Sequence, residues 1–178
     1  SDVCSSDLVR PPDVNRSAAR CTVEDRAVRI GLAYVRSVGE REAETVVAGQ
    51  PYADVADLAR RSGARSDALR ALVAAGACDG WGERRRLLWR LGATVRPVGG
   101  QLTLPLQATA ETPDLPAQTD WERLLADYRN TTLSVGPHPL ALLRPHLPGS
   151  CLASPALATV VHGARIAVAG MEIGRAHV

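Results

Sequence analysis

The spacing of apolar residues changes character three times along the chain. Pro11-Pro12-Asp13 opens a turn-prone stretch. After it, Cys21-Thr22-Val23 and Ala27-Val28-Arg29-Ile30 form two short β-leaning runs around Glu24-Asp25-Arg26, a pattern that predicts a small hairpin. From Leu32 the period becomes helical. Leu32-Ala33-Tyr34-Val35 is one short piece, interrupted at Ser37-Val38-Gly39. Residues 40–48 resume with Ala43, Val46 and Val47 on one face, and Gly49-Gln50-Pro51 stops them. Asp54 starts a further helix with Val55, Leu58 and Ala59 inward. Ser66 is placed to cap a helix over 67–75, with Leu69, Leu72 and Val73 as its stripe and Gly76 at the C′ position. After Asp79-Gly80-Trp81-Gly82, residues 83–91 form another, with Leu87, Leu88 and Leu91 inward.

Periodicity is lost over 92–119, which carry Pro97, Pro105, Pro113, Pro116 and Gly99-Gly100 and read as a linker. Thr119 or Asp120 then caps a helix to about Asn130, with Trp121, Leu124, Leu125 and Tyr128 on one side. Residues 139–147 predict a short helix, and 164–170 a β-like run. The fold class expected is therefore mainly α: two helical hairpins sharing a core, a small N-terminal β hairpin and a Pro-rich linker.

The two ends modify this picture. Asp2-Val3-Cys4-Ser5-Ser6-Asp7-Leu8 can be encoded by GACGTGTGCTCTTCCGATCT, a common sequencing adapter. Glu172-Ile173-Gly174-Arg175-Ala176-His177-Val178 can be encoded by a string whose reverse complement contains the same bases. Residues 1–8 and 172–178 are accordingly expected to be translated adapter, Leu8 only in part, and the natural polypeptide to continue beyond both ends. The whole chain has 21 basic and 19 acidic residues; without those two segments 20 and 16 remain, a net charge near +4. That mild basicity suits a nucleic-acid partner. All the basic residues are arginine, and Lys and Phe are absent, which a high-GC coding bias accounts for. No apolar run approaches the ~18 residues of a membrane span. Cys21, Cys78 and Cys151 lack CxxC spacing, and His138, His146 and His162 lack ligand spacing, so reduced thiols and no metal site are expected.

Chemistry is best suggested by Val35-Arg36-Ser37-Val38-Gly39-Glu40 with Ala43 and Val46-Val47 behind it. An apolar residue, a tight turn with glycine and then a helix is the helix–hairpin–helix pattern. A glycine lets backbone approach a phosphate, and the next helix offers free N–H groups and the positive end of its dipole. Arg36, Ser37, Val38, Gly39 and Arg41 are the candidate DNA-contacting residues here. Ser37 stands where a second glycine is usual, and Glu40 puts negative charge at the helix start, so a purely structural hairpin stays open. The second hairpin adds Gly76 and the run Arg84-Arg85-Arg86, either phosphate ligands or a solvated face. Arg60-Arg61 reads more simply as a solvated face.

Several segments, in order, resemble one family. Val9-Arg10-Pro11-Pro12-Asp13-Val14-Asn15-Arg16-Ser17 is followed by Ile30-Gly31-Leu32-Ala33-Tyr34-Val35-Arg36-Ser37-Val38-Gly39-Glu40, then by Pro51-Tyr52-Ala53-Asp54-Val55-Ala56-Asp57-Leu58 and by Ala75-Gly76-Ala77-Cys78-Asp79. Together they resemble bacterial DNA polymerase III alpha subunits, with Cys78 in place of the usual aromatic. Leu104-Pro105-Leu106, residues 127–140 and Leu143-Arg144-Pro145 resemble its error-prone branch. The resemblance implies the end of a fingers-type region over 9–31, a tandem helix–hairpin–helix domain over 32–91, a linker over 92–119 and a helical connector over 120–162. Val168-Ala169-Gly170-Met171 resembles the first strand of an OB-fold, placed at 163–171 and truncated. The implied parent is a cytoplasmic, Mg2+-dependent DNA polymerase of damage-induced translesion synthesis and mutagenesis. Its catalytic carboxylates lie far upstream, so no catalytic residue, metal ligand or cofactor is assigned to this fragment, which should be inactive alone. Primer–template DNA is the implied partner, with accessory proteins of the error-prone polymerase and no membrane. Gln101, Leu102, Leu104 and Leu106 stand where the family carries a sliding-clamp peptide; a linker packing on its own domain is the alternative. A stand-alone helix–hairpin–helix repair accessory, or a protein-docking module, is the competing function.

Overall fold

A computed structural model describes residues 8–94 and 113–170. The flanking strings, Leu8 excepted, and the clamp-peptide candidates Gln101, Leu102, Leu104 and Leu106 lie outside the described residues. The chain divides into two compact units, 1–136 and 137–178.

The first unit begins with a three-stranded sheet in the order β1 (Val9–Arg10), β3 (Ala27–Arg29), β2 (Thr22–Glu24). The expected hairpin is β2 against β3, antiparallel, with Val23 opposite Val28. Its two-residue turn puts Asp25 and Arg26 in the left-handed region, φ 48° and 67°, as such hairpin turns require. β1, parallel to β3, was not expected from sequence, because two residues carry no periodicity and the pairing is non-local.

A short 3-10 turn, Leu32–Tyr34, leads into α1 (Glu40–Ala48), α2 (Val55–Arg61), α3 (Ser66–Ala74) and α4 (Arg84–Thr94). Asp54 caps α2 as expected, its side chain accepting from Asp57 N–H at 2.8 Å. The N-cap of α3 is Arg65 rather than Ser66, and the Arg65 amide donates to Glu42 on α1 at 2.7 Å. At the other end of α3 the chain closes in a Schellman pair. Gly76 N–H donates to Val73 O and Ala77 N–H to Leu72 O, with Gly76 at φ 84°.

These elements share one core that includes Val14, Leu32, Val35, Val46, Tyr52, Leu58, Leu69, Leu72, Leu87 and Leu91. Val14, from the stretch before the helices, belongs to this core. The Pro-Pro-Asp-Val-Asn stretch is a seam. Val14 N–H donates to Ala77 O, and the Asn15 amide pairs with both N–H and C=O of Tyr52. Gly31 is required at the same seam, since a Cβ there would lie 2.3 Å from the Arg20 carbonyl carbon.

α5 (Asp120–Thr131) belongs to the first unit. Thr119 and Glu122 form a reciprocal capping box at its start. Its buried apolar residue is Leu124, with Asp127 and Thr131 beside it. Trp121, Leu125 and Tyr128, expected with Leu124 on one side, are about two-fifths exposed.

The second unit holds α6 (Pro139–Leu143), a 3-10 turn over Arg144–His146, and β4 (Cys151–Leu152) parallel to β5 (Ala167–Val168).

Candidate nucleic-acid interface

The first hairpin turn lies on the surface. Arg36, Ser37, Gly39 and Arg41 are exposed, and Val38 is buried as the anchor below them. The left-handed position is Ser37, φ 67°, not Gly39, which is extended at φ −72°, ψ 158°. Gly39 is therefore not required there for its conformation. A Cβ at Gly39 would meet nothing within 4 Å, so its backbone faces open space.

Gly39 is the N-cap of α1 and provides no side-chain cap. The first amides of α1 thus have neither intrahelical nor capping partners, the arrangement that accepts an anion. The acids nearby are already committed. Glu40 accepts from Arg20 at 2.6 Å, and Glu42 accepts from the Arg65 amide and guanidinium. The objection that Glu40 repels a phosphate is thereby weakened. Arg36 and Arg41 have no acidic partner among the described residues. From below, the Arg36 N–H donates to Asn130 O at 2.8 Å, tying the turn to the end of α5.

The second hairpin, with the candidates Gly76, Arg84, Arg85 and Arg86, is arranged differently. Gly76 is buried, and a Cβ on it would come 2.2 Å from Nη2 of Arg84. Arg84 is itself interior. Its guanidinium donates to both Asp79 oxygens at 2.9 Å, to Asp127 Oδ1 at 2.7 Å and to Ala74 O at 3.1 Å. Burial pulls against the charge, but the two carboxylates hold Arg84 above its ordinary pKa. Arg85 reaches Glu122 at 2.6 Å and Pro116 O at 3.0 Å; Arg86 reaches Asp114 at 2.6 Å. The run Arg84-Arg85-Arg86 is bound into the fold by residues 28–43 positions later, and Arg84 and Gly76 are not accessible to a phosphate. Gly76→Ala should accordingly destabilise the unit by roughly 1–3 kcal/mol through its positive φ and the displaced guanidinium, read from urea unfolding.

Arg61 stays exposed but folds back on the surface, donating to Gly49 O and Asp57 and lying 5.1 Å over the Tyr52 ring. Burial pushes the Cys78 thiol well above its ordinary pKa and so disfavours the thiolate. Among the described residues no three His, Cys, Asp or Glu side chains are grouped to hold a metal, and no helix is long and apolar enough to cross a membrane.

α5 is held by acids whose charge matters. Burial raises Glu83, but the Arg123 guanidinium and the Gln118 amide outweigh it and leave the carboxyl below its ordinary 4.5. The Thr119 amide and hydroxyl, then Arg85, hold Glu122 below the same value. Groups lowered in the folded state stabilise fully above the unfolded pKa, and that stabilisation is lost as pH falls through the folded value. The melting midpoint should therefore fall as pH drops below about 4.5, and fall less in a Glu83→Gln/Glu122→Gln variant.

Comparison with known proteins agrees with this geometry. The family described as "Helix-hairpin-helix motif" matches residues 8–88. An error-prone DNA polymerase of Pseudomonas aeruginosa is 39% identical over 179 residues, covering 93% of this chain and 17% of the relative. One of Alkalilimnicola ehrlichii is 36% identical, covering 94% and 17%, and one of Corynebacterium diphtheriae 38%, covering 76% and 13%. The chain spans less than a fifth of the length of these curated relatives. With the motifs in family order, the hairpin fold beneath them and relatives of one kind across most of its length, the chain belongs to the bacterial DNA polymerase III alpha family, in its error-prone branch.

Proposed function

We propose that this chain is the DNA-positioning part of an error-prone DNA-directed DNA polymerase acting in translesion synthesis, and that it grips the sugar–phosphate backbone of primer–template DNA at the turn Arg36-Ser37-Val38-Gly39. The observation that carries the reading is the bare, uncapped start of α1 at Gly39, flanked by Arg36 and Arg41 without acidic partners among the described residues. Amides and a helix dipole fix a phosphate without reading a base, so the contact would hold DNA in register whatever its sequence. That suits an enzyme that must tolerate damaged templates.

Primer extension from dNTPs, and the Mg2+ ions it uses, belong in this reading to a catalytic region outside the chain, in the cytoplasm. Residues 163–171 would begin an OB-fold, and Gln101, Leu102, Leu104 and Leu106 would meet a sliding clamp, directly or through accessory proteins. Titration of fluorescent primer–template duplex tests the core of the proposal. The expected result is binding that weakens steeply with salt, with a log–log slope of about −2 or steeper. Binding that is flat between low and moderate salt would exclude phosphate contact and favour a protein-docking role.

A further inference from the structure

α5 lies outside the residues 8–88 matched by the helix–hairpin–helix family, beyond a proline-rich stretch, yet it closes the candidate DNA-binding turn. Its last turn provides the Asn130 carbonyl that receives the Arg36 amide at 2.8 Å. Among the described residues that bond is the only backbone hydrogen bond between the exposed turn and another helix. α5 and the segment leading into it are pinned to α4 and to Glu83 before it at three levels. Residues 114 and 116 take Arg86 and Arg85. Glu122 takes Arg85, while Glu83, just before α4, takes Arg123 at 2.8 Å and the Gln118 amide. Asp127, buried, takes Arg84 and is itself held by Ser134 Oγ at 2.8 Å.

We propose that α5 is a positioning element of the DNA-binding module: it sets the Arg36–Gly39 turn through the Asn130 carbonyl, and the arginines of α4 hold it there. The DNA reading of the turn is assumed. The helix thereby connects the grip on DNA to whatever follows residue 131. Arg85 and Arg86 are positioning residues in this scheme, not phosphate ligands, and the two roles predict opposite responses.

In Glu83→Gln/Glu122→Gln the capping box survives, because glutamine serves at N3 as glutamate does. Both ion pairs are lost, each part-exposed and individually weak, so the unit should stay folded, with a modestly lower melting midpoint at neutral pH. The variant carries two more net positive charges and frees Arg85 and Arg123. If those arginines were DNA ligands, or charge alone mattered, duplex affinity would rise. If α5 positions the turn, affinity falls about three- to ten-fold, and exchange of the Arg36 amide quickens about ten-fold or more while core amides such as Leu72 stay protected. Unchanged Arg36 exchange, or tighter DNA binding, would overturn the proposal. The exchange readout needs no DNA, so a wild-type chain that bound no duplex would sink the DNA reading while Arg36 exchange still judged α5.

Discussion

Arg84→Met should destabilise the first unit by roughly 3–5 kcal/mol, with a fall in melting midpoint on the order of 10 °C. The arginine side chain is 8% exposed and its partner Asp127 13% exposed. Removing only the guanidinium strands the Asp127 carboxylate in the interior with one hydrogen bond from Ser134, and a buried uncompensated charge costs far more than a lost surface pair. Asp79, 45% exposed, can rehydrate. Adding Asp127→Leu should therefore recover part of the loss, because the cost lies in the orphaned carboxylate. Arg86→Met, whose partner Asp114 is almost fully exposed, should change stability by less than about 1 kcal/mol. Equal, small effects at positions 84 and 86 would mean that the arginine run is a surface feature after all.

Arg36→Ala/Arg41→Ala should do the reverse, sparing stability and weakening DNA binding. Both side chains are exposed and take no part in the core. Each phosphate contact contributes about 0.9 to the slope of log affinity against log salt, so the pair should flatten that slope by nearly two and lower duplex affinity roughly ten- to fifty-fold near 0.1 M salt. The loss should be the same across unrelated sequences, since no base is read. A loss confined to some sequences would argue for groove contacts instead. Stability should stay within about 0.5 kcal/mol of wild type.

Much of the local structure was legible in the residues. α1 was predicted at its observed bounds, because Gly39 and Gly49-Gln50-Pro51 punctuate it at both ends. The starts of α2 and α5 were readable from Asp54 and Thr119, whose side chains make the expected caps. Gly76 was readable as a C′ glycine, since a left-handed position is a local requirement. What could not be read is what depends on distant partners. Nothing near Arg84 signals that its charge is met by Asp127, 43 residues on, so three adjacent arginines read equally as phosphate ligands or a solvated face. The Val9–Arg10 strand exists only because Val28 and Arg29 lie beside it. α5 shows the limit of periodicity alone. Trp121, Leu125 and Tyr128 follow a helical stripe, yet the face that packs inward is defined by Leu124, Asp127 and Thr131, two of them polar. A buried polar face is invisible to hydrophobic patterning, although Thr131, Ser134 and Asp127 satisfy one another.

The central claim concerns a few backbone amides, and an amide-resolved NMR titration of the whole chain with a short primer–template duplex tests it most directly. The amides of Ser37, Gly39, Glu40 and Arg41 should shift first and most, with those of Gly76 and Arg84 nearly still. Shifts centred on the second hairpin with the first one silent, or no shifts at millimolar duplex in low salt, would contradict it.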